Sequence, residues 1–283
     1  MTTLRRRALR PVARGRSLLS SIAIAMVLAA CSSPASKMPT PSNPSASNVD
    51  IERRELTPSD NRKRASIRLQ LAIGYYQDGK FSVALDELKQ ALTLDSNYAD
   101  AHMVVALVYT ELHEDALAEQ SFRRALQLEP ANSDLNNNYG WYLCQRGREK
   151  ASLAYFQTAL KNPLYTQKAK PLQNAGVCAL RIGDAAAAED YFRRSFEIDP
   201  SGAVAAYNLA SLYYDRQDYS RARFYVAQVN SGPAPTPASL WLGIRVERRL
   251  GNRTNQAALE SQLERLYADS REAQMQKRGN YGD

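Results

Sequence analysis

The sequence predicts an all-α fold, a superhelical solenoid of about six stacked helical hairpins. Three observations carry that expectation. Segments about 34 residues apart resemble one another, small residues recur at fixed offsets opposite large apolar ones, and a proline or an acid commonly follows the second helix of a hairpin. A hairpin with one apolar face cannot bury that face alone, so a chain that repeats it must stack the copies.

The elements follow in chain order. Residues 1–16, MTTLRRRALRPVARGR, hold six arginines and no acid, and the apolar run Leu18–Ala30 ends at Cys31. A basic stretch, a short apolar stretch and small residues before a cleavage point describe an export signal over residues 1–30, too short for a mature transmembrane helix. Leu28-Ala29-Ala30-Cys31 also matches the bacterial lipobox, which makes Cys31 the expected acylation site. Several acyl chains, each worth roughly 0.8 kcal/mol per buried CH₂, anchor stably where one is marginal. Ser32 follows where an aspartate would favour the inner membrane, so the expected location is the outer membrane, facing the periplasm.

The whole chain carries 37 basic and 29 acidic residues, a net charge of +8 and a pI near 9.4. That balance by itself points toward an acidic partner such as nucleic acid. Cleavage after residue 30 removes six arginines and no acid, leaving 31 basic against 29 acidic residues. The basicity is therefore mostly an export address, and nucleic acid is not expected as a partner.

Residues 31–62 comprise the lipidated cysteine and a linker. The stretch SSPASKMPTPSNPSASN cannot bury enough apolar surface to offset chain entropy. A coil of this length reaches about 30 Å, enough to hold a folded body clear of a membrane. The repeat domain is expected over 63–268. Unit one (Leu71–Tyr98) aligns with unit two (Val105–Asn132) at an offset of 34, so that Tyr75 answers Tyr109 and Ala84 answers Ala118. Unit three (Tyr139–Pro163) and unit four (Ala175–Pro200) repeat a small residue at Gly140 and Gly176 and a phenylalanine at Phe156 and Phe192. Unit five (Leu209–Val229) keeps Ala210, Tyr213 and Ala222, and a degenerate sixth begins at Ser239. Two departures stand out. The segment Asn162–Pro171 absorbs a longer step into unit four, and Ser231–Ser239 holds three prolines, a rigid break expected to bend the array. Residues 269–283 are polar and expected to be a fraying tail. This period, with small residues facing aromatics, is the tetratricopeptide signature.

Catalytic chemistry is not expected. The two histidines, His102 and His113, fall at repeat positions that do not share a face, and no metal-ligand spacing, phosphate loop or nucleophile motif is present. Acid pairs such as Asp86-Glu87 and Glu189-Asp190 read as solvated helix faces. Neither a cofactor, a metal nor a small-molecule substrate is expected.

Such arrays bind along a concave face lined by first-helix positions 2, 5, 9, 12 and 13. That projection selects Tyr76, Met103, Leu107, Asn137, Trp141, Gln173, Val177, Tyr207 and Tyr214 as groove residues, a polar-aromatic set with little charge. Rigid aromatic anchors among amides suit an extended peptide or strand. Trp241 in the sixth unit reads as core packing. Cys144 and Cys178 lie 34 residues apart on the first helices of adjacent units, either bridged or as two buried free thiols.

Taken together, the lipobox LAAC, the repeats, NNYGWYLCQRG with NPLY downstream, NAGVCALRIGD and SLWLGIRVER resemble the type IV pilus biogenesis/stability lipoproteins of the PilW/PilF type. The resemblance covers the signal and most of residues 65–268. It implies a pilotin, a non-enzymatic outer-membrane lipoprotein that binds subunits of the type IV pilus secretin and promotes their localisation and multimerisation. It also implies that Cys144 and Cys178 are a paired bridge. The alternative reading is a general cell-envelope scaffold for peptidoglycan or outer-membrane-protein assembly factors.

Overall fold

The computed structural model describes residues 57–282. The export signal, Cys31 and the linker as far as residue 56 lie outside the described residues. Six hairpins follow one another: α1 (Pro58–Gln77) with α2 (Phe81–Leu94), α3 (Ala99–Glu111) with α4 (Asp115–Leu128), and α5 (Ser133–Gln145) with α6 (Glu149–Lys161). They continue with α7 (Ala169–Arg181) and α8 (Ala185–Ile198), α9 (Ala203–Asp215) and α10 (Tyr219–Asn230), and α11 (Pro237–Arg249) and α12 (Arg253–Tyr267). A short α13 (Arg271–Lys277) closes the described residues, which contain helices and no strand.

The repeat places one small residue per first helix against one large residue of the second. Ala72 and Leu88 share one buried cluster, Ala106 and Phe122 the next, and Ala210 and Val226 a third. In units three and four the small residue is glycine. A Cβ on Gly140 would lie 2.9 Å from the Phe156 ring, and one on Gly176 would lie 2.6 Å from Phe192. The helices therefore approach more closely than any side chain larger than hydrogen permits. Phe122, Phe156 and Phe192 are each fully buried.

Every hairpin turns through one residue with positive φ. Four turns use glycine (Gly79, Gly147, Gly183, Gly251), but unit two uses His113 at φ 59° and unit five uses Gln217 at φ 62°. A residue with a Cβ in this region costs on the order of 1 kcal/mol. Gln217→Gly is accordingly expected to raise the free energy of unfolding by about 0.5–1 kcal/mol in urea titration, after the added chain entropy of glycine is subtracted. A lowered midpoint would contradict this assignment of strain.

The boundaries differ from the sequence expectation at both ends. Helix α1 starts at Pro58, inside the stretch assigned to the linker, because Thr57 caps it: its hydroxyl accepts from the Asp60 N–H at 3.2 Å while Asp60 accepts from the Thr57 N–H. At the other end, the described part of the expected fraying tail, residues 269–282, is packed. Ser270 caps α13, Ala273 is buried, and the Tyr281 ring stacks on Trp241 at 5.3 Å between centroids. The Tyr281 hydroxyl donates to Glu260 at 2.9 Å, and the Arg248 guanidinium lies 4.4 Å from the ring centroid. Leu240, Ile244 and Leu263 of the last hairpin are sealed in the same cluster. An open repeat face needs a lid, and this segment supplies it.

The proline-rich Ser231–Ser239 segment starts a helix. Pro237 takes the first helical position of α11, Thr236 caps it, and α11 packs on both α9 and α10. Asn230 Nδ2 donates to the Ser239 carbonyl across the segment at 3.1 Å, so stacking continues through it.

Candidate functional site

First helices α1, α3, α5, α7 and α9 present the expected groove residues at equivalent turns. Tyr76, Met103, Leu107, Trp141, Gln173, Val177 and Tyr207 are all half-buried, with part of each side chain open to solvent. Contacts between neighbouring first helices tie them into one surface. The Tyr76 hydroxyl donates to Glu111 at 3.5 Å, and Asn138 Nδ2 lies 3.1 Å from the Met103 sulfur. Burial, with the Glu111 carboxylate adding to it, raises the Tyr76 phenol above its ordinary pKa; burial does the same at Tyr207, where Glu272 of α13 contributes. Both remain neutral hydrogen-bonding groups at physiological pH.

Two expected groove residues are not on that surface. Asn137 is 1% exposed, because α7 covers it and Asn174 Nδ2 donates to its Oδ1 at 2.9 Å. It is a strut between units three and four, not a contact residue. Tyr214 is 7% exposed; Arg245 of α11 lies 4.3 Å over its ring and Tyr219 meets its edge at 5.4 Å. The sixth hairpin claims it.

Units three and four are joined covalently. Cys144 on α5 and Cys178 on α7 form a disulfide with a Cα separation of 5.9 Å, and both are fully buried. The bridge sits with Phe156 and Ala175, and Trp141 packs against the same cluster. Arg181 Nη1 donates to the Cys144 carbonyl at 3.0 Å, and its guanidinium lies 5.7 Å from the Trp141 centroid. Trp141 and Gln173 thus stand on two helices that cannot slide apart. The longer connection into α7 is tied down as well. The Tyr165 hydroxyl donates to Asp134 at 2.7 Å, and burial followed by that carboxylate pushes the phenol well above its usual range.

Arg181 and Glu111 also correct the expectation of a nearly uncharged groove; both are exposed, at position 13 of their first helices. None of the nine groove residues selected by register lies at position 13. Also missed is an apolar hollow of about 570 Å³ between α1 and α2, lined by Ile67, Leu71 and Leu94 and rimmed by Arg64 and Arg68. Ile67 is 59% exposed, and its signal was the apolar pair Ile67/Leu71 on a helix face with no preceding repeat.

The two histidines and Glu189 have places in the fold. His102 Nε2 lies 3.0 Å from the Ser96 carbonyl, and His113 is the turn residue described above. Glu189 accepts from Tyr213 at 2.7 Å and from Arg216, which together hold its carboxyl below the usual range. Among the described residues no group of three or more His, Cys, Asp or Glu is placed to hold a metal, and no helix is long and apolar enough to cross a membrane.

The tetratricopeptide repeat family matches residues 61–212. Over 206 residues the chain is 32% identical to the type IV pilus assembly protein PilF of Pseudomonas aeruginosa, covering 73% of this chain and 82% of that protein. Two solved structures resemble it along nearly their whole length. One is PilW, a widely conserved type IV pilus biogenesis factor (31% identity, TM-score 0.67, 75% of this chain and 98% of that one). The other is Pseudomonas aeruginosa PilF (30% identity, TM-score 0.72, 77% and 99%). A repeat match over more than half of the chain, and a third of positions shared with a pilus assembly protein along most of both, mean that this chain belongs to the tetratricopeptide-repeat proteins of type IV pilus biogenesis.

Proposed function

We propose that the chain is a pilotin: an outer-membrane lipoprotein, anchored through Cys31, that binds secretin subunits of the type IV pilus and promotes their localisation and multimerisation. The observation that carries this reading is the row of half-exposed Tyr, Met, Leu, Trp and Gln side chains on a covalently stapled array, in a chain of the pilus biogenesis family. Amphipathic rings and amides on a rigid scaffold bind a peptide with little ordering cost of their own. The hollow at Ile67 and Leu71 offers the same partner further apolar surface to bury. The mechanism asks for binding and tethering, and for no turnover. A lipid anchor confines the bound subunit to one membrane face, where its effective concentration for assembly rises.

Deletion of the gene tests this directly. Secretin subunits are expected to accumulate as monomers and to lose their heat-stable multimers at the outer membrane, with restoration by the intact chain but not by a Cys31→Ser variant. Normal multimers in the deletion strain would refute the proposal.

A further inference from the structure

A cleft of about 280 Å³ opens between the second helices α10 and α12, with α11 as its floor. Its walls are apolar: Val226 and Ala227 on one side, Ala258 and Leu259 on the other. Its floor is not. Glu247 is 6% exposed; Oε1 forms an ion pair with Arg223 Nε at 2.9 Å, while Oε2 is buried and has no hydrogen-bond partner. Asn230 Oδ1 is a second buried acceptor without a partner. Its amide is oriented by the donation of Nδ2 to the Ser239 carbonyl and packs on Gly243, where a Cβ would lie 2.7 Å from Nδ2. Two of the residues lining one cleft, on two helices, thus carry unsatisfied acceptors buried just beneath its surface, one of them a carboxylate oxygen.

Buried acceptors without donors are costly, and a bound donor relieves that cost. An anion is repelled here, and a single carboxylate does not make a metal site. Arg223 is nearly half exposed, so its charge is screened by solvent and only one carboxylate oxygen is engaged. The complement is a group with several N–H donors on an apolar stem. We propose that this cleft is a docking site for a lysine side chain of a protein partner, with the ammonium on Glu247 Oε2 and Asn230 Oδ1 and the methylenes between Val226 and Leu259. An ammonium directs three donors in different directions and so reaches acceptors on separate helices, whereas a guanidinium is planar.

The test is an NMR titration of the purified full chain with N-acetyl-lysine methylamide, followed through the side-chain amides of Asn230 and Asn255, which also lines the cleft. Saturable shifts are expected. The norleucine analogue, which lacks the ammonium, and ethanolamine, whose stem is too short to reach the floor, should each bind at least tenfold more weakly. Glu247→Gln should weaken lysine binding at least tenfold; if it fails to fold, Ala258→Phe, at an exposed wall position, should abolish the shifts instead. Absence of saturation, equal binding of either analogue, or full binding to either folded variant would overturn the site and leave a water-filled cleft.

Discussion

Loss of the Cys144–Cys178 bridge, by reduction or by the double alanine variant, is expected to lower the free energy of unfolding by about 3–4 kcal/mol. The bridge closes a loop spanning 34 residues, and it is the unfolded chain that regains freedom when it opens. Alanine is the appropriate replacement because both positions are fully buried, where a serine hydroxyl would lack a partner. The effect is read as the shift in denaturation midpoint with and without reductant. A midpoint that reductant leaves unchanged would show that the bridge contributes nothing. The consequence reaches the groove, because Trp141 packs on the bridge cluster and Arg181 connects the Trp141 ring to the Cys144 carbonyl. Partner affinity should therefore fall together with stability.

Phe192→Ala is expected to cost about 3–5 kcal/mol, since it removes a fully buried ring that packs directly on the Gly176 backbone. The pairing with Gly176 supplies a control that a generic core defect does not. Gly176→Ala alone should destabilise by about 1–3 kcal/mol through the 2.6 Å clash with the ring. Gly176→Ala combined with Phe192→Leu should recover part of that loss, because unit one already uses an alanine against a leucine, Ala72 with Leu88. Additive losses in the double variant, measured in a thermodynamic cycle, would mean that the two positions do not share the contact.

The number of hairpins, their register and their core were legible in the sequence because the repeat states each rule several times. Phe122, Phe156 and Phe192 occupy the same place in three units, and one tertiary logic buries all three. Single-copy features were harder to read. Asn137 occupies a groove position by register, yet a neighbouring asparagine two helices on converts it into a buried strut. Tyr214 is withdrawn by Arg245, a residue of the degenerate sixth unit where register gave no guidance. Helix starts were written locally but passed over. Thr57, Pro58 and Asp60 form a cap within a polar stretch, and Thr236 with Pro237 does the same inside a segment expected to bend the array. The tail looked unstructured because its ordering depends on Tyr281 meeting Trp241, a contact between residues 40 positions apart. Burial depends on what packs outside a helix, and a one-dimensional projection does not contain that information.

The claim that the first-helix groove holds a pilus partner is tested most directly by crosslinking in living cells. A photoreactive residue placed at Gln173, half-buried in the groove, is compared with one at Gln157, exposed on the second helix α6. The expected result is a covalent adduct between the Gln173 position and the type IV pilus secretin subunit, and none from Gln157. No secretin adduct from Gln173, or equal yields from the two positions, would contradict the groove as the binding surface.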